Sequence, residues 1–318
     1  MKKGSPALCG CEEMSLRHKW QHIRHRNWEE IRDSWLANTP TFSRLGEPPD
    51  PGLERLPNLL ELEAPTNVGR FADVEGLRTN ALREAVFLFE KCSHTALAAQ
   101  RLGQGGMHSW CSFNVYHSAY IGARGIMTLL GVSLASLRSG QMAIDLFPEP
   151  ETPKKKKNVH FVPQFNEFVI IRIPMLDQRY LWEGFQRVLR MTDAKCWDLE
   201  VRKELLNVAW DEITPPRNHF LYRAAFWPLD DLMKDVPPEK PLVCSASLDP
   251  EANGFLIRLG FSVYRLFEQL MIDLASYSGV IKTQTDASRF LDDGKNVELV
   301  HYRGFVGKIL SSDIASGN

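Results

Sequence analysis

The sequence predicts a mainly α-helical protein, built as an antiparallel helical bundle with an N-terminal helical arm and a short β-containing insertion. Three long stretches carry apolar residues at helical spacing, at residues 78–102, 108–131 and 249–275. The short link "GQGG" separates the first two stretches, and short links usually join antiparallel helices. One stretch, "EFVIIRI", is typical of a β-strand. The body of the protein is therefore predicted to be helical.

Composition and charge set the broad class of the protein. Of the 318 residues, 44% are hydrophobic and 24% are charged, which is ordinary for a soluble globular protein with one large domain or two modest ones. The formal net charge of −1 gives no overall basic field, so nucleic-acid binding would depend on a local patch. The motifs GxxxxGKS, HExxH and GxSxG do not occur, which argues against P-loop NTPases, zinc proteases and α/β-hydrolases. No cofactor is expected.

The cysteines and the apolar runs predict the compartment. Six cysteines are scattered along the chain, and several lie within apolar helical patterns, as expected for reduced and mostly buried thiols. The two N-terminal lysines are not followed by an apolar run, so no signal peptide is expected. No apolar window reaches the roughly 18 residues of a membrane span. We therefore expect a cytoplasmic protein with no membrane partner.

Residues 1–77 are predicted to form an arm before the bundle. Within the arm, residues 15–38 are predicted to form one amphipathic helix with Ser15 as its N-cap. Its apolar face consists of Leu16, Trp20, Ile23, Ile31 and Trp35. The remainder of the arm is rich in Pro and Gly and is predicted to be irregular.

Three histidines of the arm, His18, His22 and His25, share the polar face of this helix, downstream of Cys9 and Cys11. The spacing of His18 and His22 is one that can bind zinc. Basic residues surround the histidines, and clustered positive charge disfavours a divalent cation. No metal site is therefore predicted. A solvated basic surface, or contact with RNA or an acidic partner, is the favoured interpretation.

Residues 78–277 are predicted to form the bundle. Its helices are expected at residues 78–102, 108–131, 176–192, 197–212 and 249–275. Gly131 lies where a C-terminal cap of the second helix belongs, and Asp249 and Pro250 suit the start of the last helix. Small side chains along the second helix would allow a neighbour to approach closely. These are Ser118, Ala119, Gly122, Ala123 and Gly125.

Two segments depart from the helical pattern. An insertion at 140–175 contains the strand-like stretch and a run of four lysines, Lys154, Lys155, Lys156 and Lys157. Such a run is typical of a solvated loop, and its charge also suits contact with a polyanion. Residues 278–318 are predicted to be a polar C-terminal extension, in which "VELVHY" is a candidate strand.

The helix at 108–131 carries polar and aromatic groups at regular spacing. Tyr116, Tyr120 and Arg124 are four residues apart, and Asn114, His117 and Arg124 share a broad face. This helix is therefore one of two stretches whose residues could carry chemistry. A tightly packed core helix with tyrosines at its edge is the alternative interpretation.

The stretch "ITPPRNHFLYRAAFWPLDDL" at residues 213–232 is the second concentration of such groups. Thr214 is a candidate N-cap, and the two following prolines suit a first helical turn, which places Arg217 and Asn218 at the helix start. The N-terminus of a helix attracts anions, and an arginine there adds a planar fork suited to phosphate oxygens. A nearby imidazole or phenol could move protons. A structural ion pair of Arg217 with Asp211 or Glu212 is the alternative.

Together these two stretches resemble the HEPN family of helical bundles, as found in prokaryotic toxins and defence proteins. The stretch "VYHSAYIGARGIMTLLGV" at 115–132 is similar to a family helix rich in Tyr, His, Ala and Gly, and "RNHFLY" at 217–222 is similar to the family's Arg-x4–6-His motif. The resemblance covers residues 80–275. It departs at one position, because Tyr222 stands where the family has its histidine.

The resemblance implies a metal-independent ribonuclease that acts on cellular RNA as a homodimer, in a toxin or phage-defence context with a partner protein. Arg217 would stabilise charge on the phosphate, and Asn218 would hold the arginine or a phosphate oxygen. Tyr222, His117 or His219 would move protons. RNA contacts are expected from Tyr116, Tyr120, Arg124, Lys154, Lys155, Lys156, Lys157 and Arg223.

The departure at Tyr222 leaves three interpretations open. Tyr222 replaces the histidine as a weaker proton donor, with an ordinary pKa near ~10. Alternatively, His117 supplies the imidazole from the other helix. In the third case the protein is a catalytically inactive HEPN-like scaffold that binds a partner protein or nucleic acid. A helical interaction protein unrelated to this family is a further alternative.

Overall fold

The fold is defined by a computed structural model that describes residues 20–38, 68–74, 76–104, 107–137, 140–148, 167–173, 178–209, 213 and 250–278. Most of these residues are helical and two small sheets accompany them, which confirms the predicted mainly α class. Within the described ranges, no helix combines the length and the apolar character needed to cross a membrane. The Arg217 stretch, the lysine run and the C-terminal extension lie outside these ranges.

The described part of the arm is broken where one helix was predicted. Residues 20–38 form a 3-10 turn (Trp20–His22), strand β1 (Arg26–Asn27) and helix α1 (Trp28–Asn38). The prediction of a continuous helix over residues 15–38 is therefore wrong. The backbone N–H of Arg26 donates to the carbonyl of Met191 at 2.7 Å. This hydrogen bond belongs to the pairing of β1 with another strand, so Arg26 cannot be part of a helix.

Helix α1 has its own N-terminal cap. The Oδ1 atom of Asn27 accepts a hydrogen bond from the backbone N–H of Glu30 at 3.2 Å, so the helix begins at a capping residue inside the predicted one. The apolar spacing was informative despite the break. The buried side chains of this segment include Trp20, Ile23, Ile31 and Trp35, which were all predicted to be apolar contacts.

Helices α2 (Leu77–Gln104) and α3 (His108–Leu129) form an antiparallel hairpin. The hydroxyl of Ser118 donates to the carbonyl of Cys92 at 2.8 Å, whereas Arg124, further along α3, contacts Glu84, which lies earlier in α2. Rising residue numbers on α3 thus meet falling numbers on α2, as the short link predicted.

Helix α6 (Pro250–Ser278) packs against α3 and α2. A methyl group added at Gly122 would lie 2.8 Å from Cγ1 of Val263, and one added at Gly125 would overlap the ring of Phe267. The absence of side chains at these two positions is therefore what lets α3 and α6 approach. This confirms the close packing predicted from the small residues.

Gly131 ends α3 in a left-handed conformation, with φ of +90°. Its backbone N–H donates to the carbonyl of Thr128 at 2.9 Å, and its own carbonyl accepts from Leu146 at 2.8 Å. A Cβ atom here would lie 2.5 Å from the ring of Phe147. Glycine is thus required both by the backbone and by the packing, as the predicted C-terminal cap implied.

The strands of the main sheet are β2 (Val68–Ala72), β3 (Val132–Leu137), β4 (Gly140–Asp145) and β5 (Glu167–Ile173). All neighbours are antiparallel, and the order is β2-β5-β4-β3. The strand predicted at 167–173 is confirmed, whereas β2 and β3 were not predicted. Because β2 pairs with β5, a piece of the predicted arm and a piece of the predicted insertion belong to one sheet.

Two shorter helices complete the described fold. Helix α4 (Gln178–Arg190) packs on α3 and is followed by β6 (Thr192–Asp193), which pairs in parallel with β1. Helix α5 (Leu199–Asn207) packs on α6 and begins after Asp198, whose side chain accepts from two backbone N–H groups of the first turn. Both helices fall within the ranges predicted for them.

Candidate nucleic-acid interface

The half-exposed face of α3 carries a row of aromatic side chains, which we call the α3 ladder: Trp110, Phe113, His117 and Tyr120. They follow one another at spacings of three, four and three residues, which keeps them on one face of a helix. Trp110 is 43% exposed and the other three are half-buried. Arg124 continues the same face one turn beyond Tyr120.

Three rings of the α3 ladder are nearly parallel. The ring centroids of Phe113 and His117 are 5.8 Å apart with an interplanar angle of 18°, and those of His117 and Tyr120 are 6.4 Å apart with an angle of 6°. Trp110 meets Phe113 edge-on, at 6.0 Å and 80°. These separations lie in the range of attractive aromatic contacts, so the rings hold one another in a common orientation.

His117 has an environment that keeps its imidazole neutral. Burial, and after it the positive charge of Lys91 on α2, lowers the pKa of His117 below its ordinary value of 6.5. At neutral pH the ring therefore has a free nitrogen lone pair and can accept a proton. Lys91 is itself exposed, and it precedes Cys92, whose carbonyl accepts from Ser118, the residue after His117.

Arg124 is a positioned cation at the end of the ladder. Its Nη2 atom lies 3.5 Å from Oε1 of Glu84 and 3.5 Å from the carbonyl oxygen of Leu134. The hydroxyl of Ser133 donates to the other oxygen of Glu84 at 3.3 Å. Burial raises the pKa of Glu84, and the Arg124 charge opposes that rise. The arginine side chain is 30% exposed, so one side of it still faces solvent.

One of the predicted ligand contacts on α3 is corrected by the structure, and a polar neighbour is bonded within the helix. Tyr116 is only 3% exposed, because it lies at the edge of the face that turns into the core, and the expected contact of its ring with nucleic acid is corrected to a packing role. The side-chain amide of Asn114 donates to the carbonyl of Trp110 at 2.8 Å, within its own helix. His117 and Arg124 do share one face, as their spacing predicted, and Tyr120 lies on that face as well.

The remaining predicted site residues lie outside the described ranges. They are Lys154, Lys155, Lys156, Lys157, Arg217, Asn218, His219, Tyr222 and Arg223. The sequence reasoning missed Trp110, Phe113 and Lys91. The first two could have been found, because their spacing to His117 and Tyr120 is helical, whereas Lys91 lies on another helix and needs the α2–α3 packing to place it.

A second group of ionisable side chains joins α1, α6 and the loop before α5. The carboxylate of Asp273 accepts from Nε1 of Trp28 at 2.7 Å and from Nη1 of Arg32 at 2.9 Å. Burial, followed by the negative charges of Asp273 and Glu29, raises the pKa of Cys196 to about 12. The thiol therefore stays protonated, which makes it a poor nucleophile. We assign these side chains a structural role.

The described cysteines and histidines form no further reactive centre. Cys92, Cys111 and Cys196 form no disulfide bonds among the residues that the structure describes. His25 contacts Asp193 at 2.9 Å on the surface. Over the part of the chain that the structure describes, no three His, Cys, Asp or Glu side chains come together in a way that could hold a metal ion.

The described residues form a mainly helical bundle with a small antiparallel sheet. No protein family, curated protein or solved structure matches the chain. Function is therefore inferred from the chain's own residues, and above all from the α3 face.

Proposed function

We propose that the protein is a HEPN-like effector with metal-independent ribonuclease activity on cellular RNA, acting in a toxin or phage-defence context in the cytoplasm. The observation that carries this proposal is the half-exposed α3 face, where the neutral imidazole of His117 shares one side of a helix with Tyr120 and Arg124. A neutral imidazole is suited to accept a proton near pH ~7. A guanidinium is suited to hold a phosphate.

The chemistry requires no external nucleophile. A ribose 2′-OH gives up its proton to a base, its oxygen attacks the adjacent phosphorus, and the 5′-oxygen leaves with a proton from an acid, which yields a 2′,3′-cyclic phosphate. Arg217 stabilises the charge that develops on the phosphate oxygens, and Asn218 holds the arginine or a phosphate oxygen. His117 or His219 serves as the base, and Tyr222 serves as the acid. A homodimer brings two such helices to one groove.

Cleavage of total cellular RNA and of a tRNA pool in EDTA tests this proposal. Wild type is compared with Arg217→Ala and His117→Ala, and with His94→Ala as a control, because His94 is an exposed histidine on α2. We expect cleavage by wild type and by the control, and loss of cleavage in Arg217→Ala. Tyr222→Phe then tests the proton donor. A folded wild-type protein that cleaves neither pool would overturn the ribonuclease proposal.

A second candidate function is a scaffold that binds a partner protein or nucleic acid without cleaving it. It is favoured by the contact of Arg124 with Glu84 and by the burial of Tyr116, because both residues then serve the fold. The tyrosine at position 222 favours it as well, since a phenol is a weaker proton shuttle than an imidazole near neutral pH. Binding of RNA without any cleavage in the assay above would select this candidate.

A further inference from the structure

We propose that the α3 ladder is a stacking subsite for the bases of a single-stranded nucleic acid, an inference that rests on the proposed RNA-directed function and names the surface it uses. Phe113, His117 and Tyr120 form the platform, and Lys91 and Arg124 receive the phosphates. Neither Phe113 nor Lys91 belongs to the sequence motifs on which the proposed function rests, so the ladder adds contacts that those motifs do not include.

The rings provide the first argument. Aromatic side chains bind successive bases of single strands largely without regard to sequence, because every base has a π-face. Phe113, His117 and Tyr120 lie within 18° of parallel from one ring to the next, and all are half-exposed. They hold this orientation through mutual contact, so little conformational entropy is lost when a ligand binds them.

The charges provide the second argument. Helix α3 runs for 22 residues without a single Asp or Glu, although the chain has 39 acidic residues. Exposed Lys91 precedes Cys92, which contacts Ser118 next to His117, and the Lys91 charge contributes to the lowered pKa of the imidazole. Arg124 follows at the end of the ladder, with Glu84 as its acidic neighbour. A polyanion laid along α3 would therefore find cationic partners in Lys91 and Arg124.

A helical protein partner fits this face less well than a single strand does. A groove that receives an amphipathic helix is hydrophobic along its length. The ladder instead includes the imidazole of His117 and has the guanidinium of Arg124 at its end. Aromatic rings flanked by cations are the arrangement that recurs in single-strand binders.

The experiment measures binding separately from cleavage. A fluorescent 2′-O-methyl oligouridine has no free 2′-OH, so it reports binding by fluorescence anisotropy whether or not the protein is a nuclease. Phe113→Leu and Tyr120→Leu each remove a ring and retain an apolar side chain. Phe261→Leu is the matched control, because Phe261 is an aromatic residue on α6 that is 61% exposed and lies outside the ladder.

We expect each ladder variant to bind at least about fivefold more weakly than wild type, and the Phe261→Leu control to bind within about twofold. Lys91→Gln should reduce the slope of log affinity against log salt by about one unit. Ladder variants that bind as tightly as wild type would overturn the inference. Ladder variants that convert a dimer into a monomer without changing nucleic-acid binding would also overturn the inference, because the face would then be a subunit interface.

Photocrosslinking provides a readout that does not depend on the variants. An oligonucleotide carrying 4-thiouridine should crosslink within the wild-type peptide that contains Phe113 to Tyr120, and crosslinks confined to other peptides would overturn the inference.

The results distinguish failure of the ribonuclease proposal from failure of the stacking subsite. Ladder-dependent binding without cleavage removes only the ribonuclease, whereas cleavage that is insensitive to the ladder variants, with unchanged binding, removes only the subsite.

Discussion

Arg26 and Asp145 lie 119 residues apart in the chain and form a bidentate ion pair in the core, with nitrogen–oxygen distances of 2.9 and 3.2 Å. Their side chains are 2% and 4% exposed. The guanidinium also donates to the carbonyl of Leu130 at 3.2 Å, and the carboxylate accepts from the backbone N–H of Phe147. The pair thus fastens the N-terminal segment to the point where α3 meets the sheet.

The first prediction concerns this ion pair. Arg26→Met leaves the Asp145 carboxylate buried without its partner, and we expect the free energy of unfolding to fall by about 3–5 kcal/mol. Urea denaturation followed by circular dichroism measures the change. The double variant Arg26→Met/Asp145→Leu should recover much of the loss, because neither charge then remains in the core.

The control for this prediction is an exposed ion pair. Lys203 and Glu200 approach to 3.9 Å with side chains that are 69% and 85% exposed. Lys203→Met should therefore leave the stability nearly unchanged. A similar small effect for Arg26→Met would contradict the assignment of Arg26 to the buried pair.

The same contact explains which parts of the fold the sequence could predict. The long helices α2, α3 and α6 were found because helical periodicity is local, and their boundaries fell within a few residues. The helix predicted at 15–38 failed because the strand at Arg26 depends on Asp145 and β6, which lie more than a hundred residues away. Local spacing contains no information about such partners.

The missed strands have a similar cause. "VGRFA" in β2 and "VSLASL" in β3 contain Gly, Ala and Ser and lack the run of β-branched residues that marked β5. They become strands by pairing with β5 and β4. On α3, spacing alone placed His117, Tyr120 and Arg124 together, but the burial of Tyr116 is decided by the neighbouring helices.

The second prediction concerns the closest approach of α3 and α6. In a free helix, replacing Gly by Ala stabilises by about 1 kcal/mol. At Gly125 a new methyl group would overlap the ring of Phe267, and overpacking of a core costs about 1–3 kcal/mol. We therefore expect Gly125→Ala to lower the melting temperature, and to lower it less in a Phe267→Leu background. A rise in the melting temperature would mean that the two helices are further apart.

The third prediction concerns the thiol of Cys196. Its raised pKa, about 12, leaves very little thiolate where an ordinary cysteine with a pKa near ~8.5 is partly ionised. We expect alkylation by iodoacetamide at about pH 8 to be more than about 100-fold slower in the native protein than in urea. Peptide mass spectrometry follows Cys196 separately from the other cysteines. A native rate that levels off near pH ~8.5 would contradict the raised pKa.

The fourth prediction concerns His117, and its sign follows from proton linkage. Because the folded state lowers the pKa of His117, the unfolded chain binds a proton more readily at mildly acidic pH. The stability that this residue contributes is complete above its ordinary pKa of 6.5 and is lost as the pH falls towards the lower folded value. We expect the stability of His117→Gln to depend less on pH than that of wild type over this window.

The Lys91 charge provides a direct test of the same pKa. Lys91→Met should raise the pKa of His117 towards 6.5 without reaching it, because burial is the larger cause and remains in the variant. Two-dimensional NMR of the imidazole resonances measures the titration. Lys203→Met is the control, since Lys203 lies on the exposed side of α5 and should leave the His117 titration unchanged. An unchanged pKa in Lys91→Met would separate Lys91 from the α3 ladder and remove one of the two cations expected to receive phosphate.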